Sequence, residues 1–183
     1  GAEVVLRTSV DDSGDGPRRA IAAAEAAGAD VVVFSGGVSA GAYEVVKTAL
    51  GDLMRFEPVR MQPGKPQGFG RSEAGTLLFG LPGNPVSAAV SFELFVRPAL
   101  RALEGDRELD RSRAVVPFAA EWRARPERAQ YVPVRIDRSD PAFRVAEPVE
   151  RGTRGFGEAN GLAVIPPGTR ATGAGDPVEV LLW

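Results

Sequence analysis

The feature of this sequence that most restricts its fold occurs twice: an apolar run, a glycine-containing loop and the start of a helix. The first copy is VVVFSGGVSAGAYE, residues 31–44, and the second is TLLFGLPGNPVS, residues 76–87. Val31 to Phe34 are β-branched or aromatic without polar alternation, which is typical of a parallel strand buried on both faces. The pattern therefore predicts an α/β sheet in which glycine loops follow the carboxyl ends of two strands.

The first of these loops, residues 35–41, joins its strand to a helix predicted to begin near Ala42. Such loops bind anions in open α/β sheets because unpaired N–H groups and the helix dipole face the ligand, and glycines allow its close approach. The loop is neither a dinucleotide fingerprint nor a P-loop, since Val38 and the pair Ala42-Tyr43 occupy positions that those patterns reserve for other residues. A tight turn without a ligand fits the same residues.

The composition excludes several classes of chemistry. Cysteine and histidine are both missing from the 183 residues, which excludes disulfides, thiolate nucleophiles, histidine triads and the usual zinc sites. A net charge of −2 argues against nucleic acid or a membrane surface as partner. Without a membrane-length apolar run or a signal-peptide pattern, the chain is predicted to be cytoplasmic. Carboxylates, lysine, arginine, hydroxyls, backbone N–H groups and Mg²⁺ remain available for chemistry.

Further elements of the sheet domain are predicted from local patterns. Val4 to Leu6 has the composition of a strand, and Pro17 suits the first turn of a helix that runs to about Ala27. The run that starts at Phe56 predicts another strand. In the second loop, Asn84 is a good N-cap and Pro85 suits the first position of a helix with a broad apolar face.

The pattern changes after Gly105, where short strand-like segments are separated by turn residues and no long helical pattern occurs. This favours a small all-β domain. The predicted division is therefore an α/β domain over residues 1–108 and a β domain over residues 109–183. The chain opens directly on a strand-like run, GAEVVLRTSV, which predicts a fragment that begins inside a domain.

A third loop, PGKP at residues 63–66, adds a lysine to the candidate site. Lys65 lies between Gly64 and Pro66, so its ammonium could face a phosphate or another oxyanion, although a solvated surface lysine is the simpler interpretation. Glu44 could coordinate Mg²⁺ bridged to a phosphate, or pair with Lys47 along the helix. The hydroxyls of Ser35, Ser39 and Ser87 could bind an anion or cap backbone N–H groups.

Three segments in this order, DVVVFSGGVSAGAYEVVKTAL, MQPGKPQGFG and FGLPGNPVSAAVSFELFVRPAL, resemble the MoeA family of molybdopterin molybdenumtransferases, which includes the E domain of gephyrin. The resemblance is strong over residues 1–105. The ending ANGLAVIPPGTRATGAGDPVEVLLW is similar to the C-terminal β-barrel domain of that family. The resemblance implies a partial three-layer α/β/α molybdopterin-binding domain followed by a small all-β barrel domain. It also implies two further N-terminal domains in the full-length protein.

The activity implied by the resemblance is insertion of molybdate into adenylylated molybdopterin, with Mg²⁺ assisting and AMP released, in a homodimer. It assigns catalysis to Lys65 and Glu44, and places Glu44 at the magnesium ion. It assigns substrate binding to loop residues Ser35, Gly36, Gly37, Val38, Ser39, Gly41, Pro66, Pro82, Gly83, Asn84 and Ser87.

Several positions depart from the pattern of the family, including Ala42, where an acidic residue is frequent, and the segment GTRGFGEAN, which replaces a Gly-Ser-His segment. Gln62 stands where a second lysine is usual, Glu44 is one methylene longer than the usual aspartate, and YVPVRI has proline where arginine is common. A neutral Gln62 removes one positive charge from a site for a dianion. Two alternatives therefore stay open: a non-catalytic molybdopterin-binding or scaffold paralogue, and an unrelated nucleotide-binding α/β domain.

Overall fold

The structure, a computed structural model, describes residues 1–11, 14–38, 44–137, 139 and 144–183 and divides into two compact units. Unit 1 contains Gly1–Val59 and Gly64–Leu109, and unit 2 contains Arg60–Pro63 and Asp110–Trp183. The four residues Arg60–Pro63 thus belong to unit 2, although the residues before and after them in the chain belong to unit 1. No helix in the described ranges is long and apolar enough to cross a membrane.

Unit 1 is built on a four-stranded sheet of mixed direction. Its strands are β1 (Val31–Ser35), β2 (Met54–Pro58), β4 (Pro66–Arg71) and β5 (Leu77–Leu81), in the order β1-β5-β4-β2. β1 runs parallel to β5, whereas β4 is antiparallel to both β5 and β2. Its helices are α1 (Gly16–Ala26), α2 (Val45–Ala49), α3 (Pro85–Ser91) and α4 (Arg97–Leu103), and a π-helical turn, Phe92–Val96, joins α3 to α4.

Alternate residues of β5 show that helices cover both faces of this sheet. Leu78 packs into a core that includes Ile21 of α1 and Val46 of α2. Its neighbour Phe79 points to the opposite face and packs with Val96 of the π-helical turn. Successive strand residues face opposite sides of a sheet, so the two cores are separate. The predicted three-layer α/β/α arrangement is confirmed.

Two predictions about unit 1 are wrong. Val33 is 41% exposed, although β1 was expected to be buried on both faces, because β1 lies at the end of the strand order and is covered incompletely. Val4 to Leu6 forms no strand, and Val4 is 81% exposed. A strand requires a neighbour for its N–H and C=O groups, and none of the described strands pairs with this segment.

Unit 2 is dominated by strands around one apolar core. Its elements are β3 (Met61–Gln62), β6 (Arg113–Pro117), β7 (Trp122–Arg123), β8 (Ala129–Ile136), β9 (Ala146–Pro148), α5 (Thr153–Glu158), β10 (Gly161–Ile165), β11 (Ala171–Thr172) and β12 (Pro177–Leu182). The main sheet has the order β3-β8-β10-β12-β6, β9 pairs with β8, and β7 pairs with β11. Phe118, Val134 and Val180 are completely buried in the core.

The predicted β character of unit 2 is confirmed, with two corrections. Among the described strands, β3 and β6 end the main sheet without pairing with each other, so the sheet is open and the expected barrel is not closed. The second correction is α5, a six-residue helix inside a region predicted to be all β. Its sequence, TRGFGE, contains two glycines and no helical periodicity, so packing rather than propensity accounts for it.

Candidate functional site

The two glycine loops of unit 1 meet at one edge of the sheet. In the parallel register Ser35 lies opposite Leu81, so β1 and β5 end at the same level. The N–H of Gly36 donates to the carbonyl oxygen of Leu81 at 2.9 Å. A Cβ added to Gly83 would lie 3.4 Å from the Cα of Gly36, and Gly36 has a φ of 97°. The backbones of the two loops therefore lie close together, and the positive φ of Gly36 is the feature that favours glycine there.

The loop that carries Lys65 reaches the same edge. Gly68 of β4 lies opposite Gly80 of β5, and because these strands are antiparallel, the start of β4 at Pro66 lies toward the carboxyl end of β5. Lys65 is exposed, and its carbonyl oxygen accepts from the N–H of Val59 at 2.7 Å. The sequence predicted a common edge for only two of the loops, and the structure adds the third.

A glutamine that sequence reasoning missed fastens the Lys65 turn to a helix. Nε2 of Gln67 donates to the carbonyl oxygen of Gly64 and to Oγ of Ser91, both at 2.6 Å. Ser91 is completely buried in α3, the helix that follows the second glycine loop. In the sequence, the one feature that pointed to this bond was Ser91, a polar residue between the apolar Val90 and Phe92, whose burial requires a hydrogen-bond partner. This amide therefore couples the turn before Lys65 to the helix behind that loop.

Asn84 and Ser87 form the N-terminal cap of α3. Oδ1 of Asn84 accepts from the backbone N–H of Ser87 at 3.1 Å and from its hydroxyl at 3.2 Å. Pro85 occupies the first helical turn, so both capping predictions are confirmed. The Ser87 hydroxyl thus donates to the cap residue, whereas the oxygen that caps a backbone N–H is Oδ1 of Asn84 and not the serine hydroxyl. Its lone pairs remain as acceptors.

Replacing Asn84 with alanine is expected to lower the free energy of unfolding by about 1 kcal/mol, because two hydrogen bonds at the helix start are lost. Asn84→Asp retains an acceptor oxygen and should stay close to the wild type. Urea unfolding followed by far-UV circular dichroism measures the difference. Equal losses in the two variants would contradict the capping role.

Not every predicted contact residue presents a side chain to a ligand. Val38 is 3% exposed and lies in the core with Phe34, so only its backbone could touch a substrate. Pro82 is also buried, whereas Ser35 and Gly83 are exposed. The carbonyl oxygen of Gly37 accepts from the N–H of Lys47 at 3.0 Å, which fixes the loop against α2. Ser39 and Gly41 lie outside the described residues.

Glu44 is the acidic residue expected to bind Mg²⁺. It immediately precedes α2, is partly exposed, and makes no salt bridge or side-chain hydrogen bond within the described part of the chain, so the alternative pair with Lys47 is not formed there. None of the described residues form a group of three potential metal ligands. A single free carboxylate fits Mg²⁺ because this ion is commonly held by one or two carboxylates, substrate phosphates and water.

Comparison with known protein families matches two regions of this chain. A family described as a probable molybdopterin binding domain matches residues 1–102, and the C-terminal region (domain IV) of MoeA matches residues 115–183. The chain belongs to the MoeA family.

Relatives of this MoeA-family chain span a wide evolutionary range. Molybdopterin molybdenumtransferase 2 of Mycobacterium tuberculosis is 40% identical over 161 residues, which are 83% of this chain and 40% of the relative. Molybdopterin molybdenumtransferase of Haemophilus influenzae is 42% identical over 82 residues, or 44% of this chain and 20% of the relative. The chain thus spans about two fifths of the length of its first curated relative.

A solved MoeA-family structure has the same fold. The crystal structure of a molybdopterin biosynthesis MoeA protein from Pyrococcus horikoshii superposes with a TM-score of 0.77 at 26% identity, over 94% of this chain and 42% of that one. The resemblance stated from the three segments is therefore confirmed at the level of family and fold.

Proposed function

We propose that this MoeA-family chain binds adenylylated molybdopterin and takes part in inserting molybdate into its dithiolene, with release of AMP. The observation that carries the proposal is the meeting of three loops, at residues 35–38, 63–66 and 82–87, on one edge of the unit 1 sheet. Two of these loops contain glycines whose backbones approach each other, and the third carries the exposed Lys65. The name of the Mycobacterium tuberculosis relative, a molybdopterin molybdenumtransferase, supports the same activity.

Each part of this edge has a distinct chemical role in the proposal. Backbone N–H groups of the two glycine loops, other than that of Gly36, which donates to Leu81, would bind the pyrophosphate of the adenylylated substrate, because glycine loops form concave anion sites. The Lys65 ammonium would bind molybdate as a compact positive charge. Glu44 would hold Mg²⁺, which when bound supplies neutralisation of phosphate charge. The reaction also rests, in this proposal, on a homodimer of the full-length protein.

Glu44→Ala is expected to remove most of the Mg²⁺-dependent part of the affinity for adenylylated molybdopterin, because Glu57, a carboxylate of β2 opposite Gln67 at that edge, already pairs with Arg55 at 2.7 Å. For the wild type, Mg²⁺ is expected to tighten binding about tenfold, a change of roughly 1.4 kcal/mol. Isothermal titration with Mg²⁺ or with EDTA measures both constants.

Glu73→Ala is the matched control. Glu73 is exposed in the turn between β4 and β5, which lies at the opposite edge of the sheet. It should retain the full Mg²⁺ effect. If Glu44→Ala retains an effect of the same size as Glu73→Ala does, Glu44 does not hold the ion.

The second candidate is a non-catalytic molybdopterin-binding scaffold. It is favoured by the neutral Gln62, which stands beside the Lys65 turn in sequence where a cation would suit a dianion. The two functions make different predictions about AMP. An enzyme releases AMP when molybdate is added to the loaded protein, whereas a scaffold binds the adenylylated ligand and leaves it intact.

A further inference from the structure

Two glutamines of unit 2 lie opposite each other on paired strands, and each has one buried amide atom without a partner among the described residues. Gln62 of β3 and Gln130 of β8 are directly opposite in the parallel register. Oε1 of Gln62, a hydrogen-bond acceptor, is buried and lacks a partner among the described residues. Nε2 of Gln130, a donor, is also buried without a partner there, and Gln130 is only 5% exposed.

The cost of burying two polar atoms without partners favours a hydrogen bond between Oε1 of Gln62 and Nε2 of Gln130. A buried polar atom without a partner costs about 1–3 kcal/mol, so two such atoms on opposite residues of paired strands carry a cost that one hydrogen bond between them would remove. Opposite residues on paired strands point to the same face, with their backbones about 4.8 Å apart. One N–H···O bond between these two amides would therefore satisfy both atoms.

The other end of the Gln130 amide is already held. Its Oε1 accepts from Nε1 of Trp122 at 3.2 Å. An indole N–H can only donate, so this bond assigns the oxygen to the Trp122 side and turns Nε2 away from it. Trp122 is itself held by an edge contact with the buried Phe118, at 6.4 Å between ring centroids, and by the guanidinium of Arg151 at 5.7 Å.

We propose that Gln130 is a positioning residue: Nε2 of Gln130 donates to Oε1 of Gln62, and this bond, anchored by Trp122, fixes the point at which the chain leaves β3 for Lys65. Only Pro63 and Gly64 separate Gln62 from Lys65. Holding Oε1 also directs the amide nitrogen of Gln62 away from Gln130, where it is an oriented neutral donor. The hydrogen bond itself does not depend on the proposed function. Only its purpose, the placing of Lys65, rests on that function.

Nuclear magnetic resonance of the ¹⁵N-labelled chain tests the bond without any ligand or activity. Gln62→Met removes the acceptor, and we expect an upfield shift and faster hydrogen exchange of the Gln130 side-chain amide, together with a shift of the Trp122 indole N–H. Gln62→Glu keeps an acceptor oxygen and is expected to leave the indole resonance close to its wild-type position. Gln130→Met is expected to shift the backbone amides of Gly64 and Lys65.

The Trp183 indole is the internal control, because its Nε1 donates to the carbonyl oxygen of Ala159 at another position of the same unit. An unchanged Trp183 resonance shows that a variant is folded, and if Gln62→Met fails this test, the Gln130→Met spectrum decides instead. The inference is overturned if folded Gln62→Met leaves the Gln130 and Trp122 resonances in place. It is also overturned if folded Gln130→Met leaves the Gly64 and Lys65 amides unmoved.

Discussion

Changing Lys65 to methionine is expected to weaken molybdate binding to the chain loaded with adenylylated molybdopterin by roughly 10- to 150-fold. This range corresponds to the loss of about 1.5–3 kcal/mol for a hydrogen bond to a charged group. Lys65 is exposed at the sheet edge where the three loops meet, and the turn around it is fastened through Gln67. Isothermal titration of molybdate into the loaded protein measures the affinity directly.

The chain offers an unusually clean control, since it contains only two lysines. Lys47 is exposed on α2, so Lys47→Met removes the same charge at a different position. It should leave molybdate affinity unchanged, and Lys65→Arg should retain much of the affinity because the charge remains. Equal weakening by both methionine variants would show that general charge, rather than the placement of Lys65, attracts molybdate.

Gly155→Ala is expected to destabilise unit 2 by about 2–4 kcal/mol, since overpacking forces backbone shifts. A Cβ at this position would lie 1.8 Å from the carbonyl oxygen of Glu150. That oxygen is backbone, so it cannot rotate away as a flexible side chain would. Both tryptophans, Trp122 and Trp183, belong to unit 2, so their fluorescence during urea unfolding reports this unit selectively.

The matched control lies two residues further along the same helix. A Cβ on Gly157 meets nothing within 4 Å, and its φ is not in the left-handed region. Gly157→Ala is therefore expected to be neutral or to stabilise unit 2 by roughly 0.5–1 kcal/mol, because alanine loses less conformational freedom on folding. Destabilisation of similar size in both variants would mean that α5 is insensitive to the Glu150 contact.

The strands and glycine loops of unit 1 could be predicted because their signals are local. An apolar run followed by Ser35, Gly36 and Gly37 indicates a strand and a turn whatever surrounds them. The position of Asn84 next to Pro85 likewise indicates a helix start from four residues of context. These predictions depend on backbone preferences that act within a few residues, and the structure confirms them.

The position of Lys65 at the edge shared by the three loops could not be predicted from local sequence. It depends on β4 running antiparallel to β5, which is a property of pairing between distant segments. The exposure of Val33 has the same origin, since the position of β1 at the end of the sheet is not encoded in β1 itself. The bonds of Gln67 to Gly64 and Ser91 also require the packed fold.

Three glycines of unit 2 show most directly what the sequence alone does not reveal. The segment GTRGFGEAN contains glycines at positions 152, 155 and 157, and the sequence does not distinguish them. In the fold, Gly152 has a φ of 109°, Gly155 faces a carbonyl oxygen, and Gly157 faces open space. A residue type therefore indicates that some special contact is possible, whereas the surrounding backbone decides which glycine makes it.

The membership of Arg60–Pro63 in unit 2 has a consequence for how the chain matures during synthesis. Met61 and Gln62 pair with Ala129 and Gln130, which are translated 68 residues later. At about 5–20 residues per second, β3 waits roughly 3–14 s for its partner strand to be made. During that interval the ribosome holds a chain in which β3 still lacks its partner strand. Completion of the unit 2 sheet at β3 is thus timed by the emergence of β8.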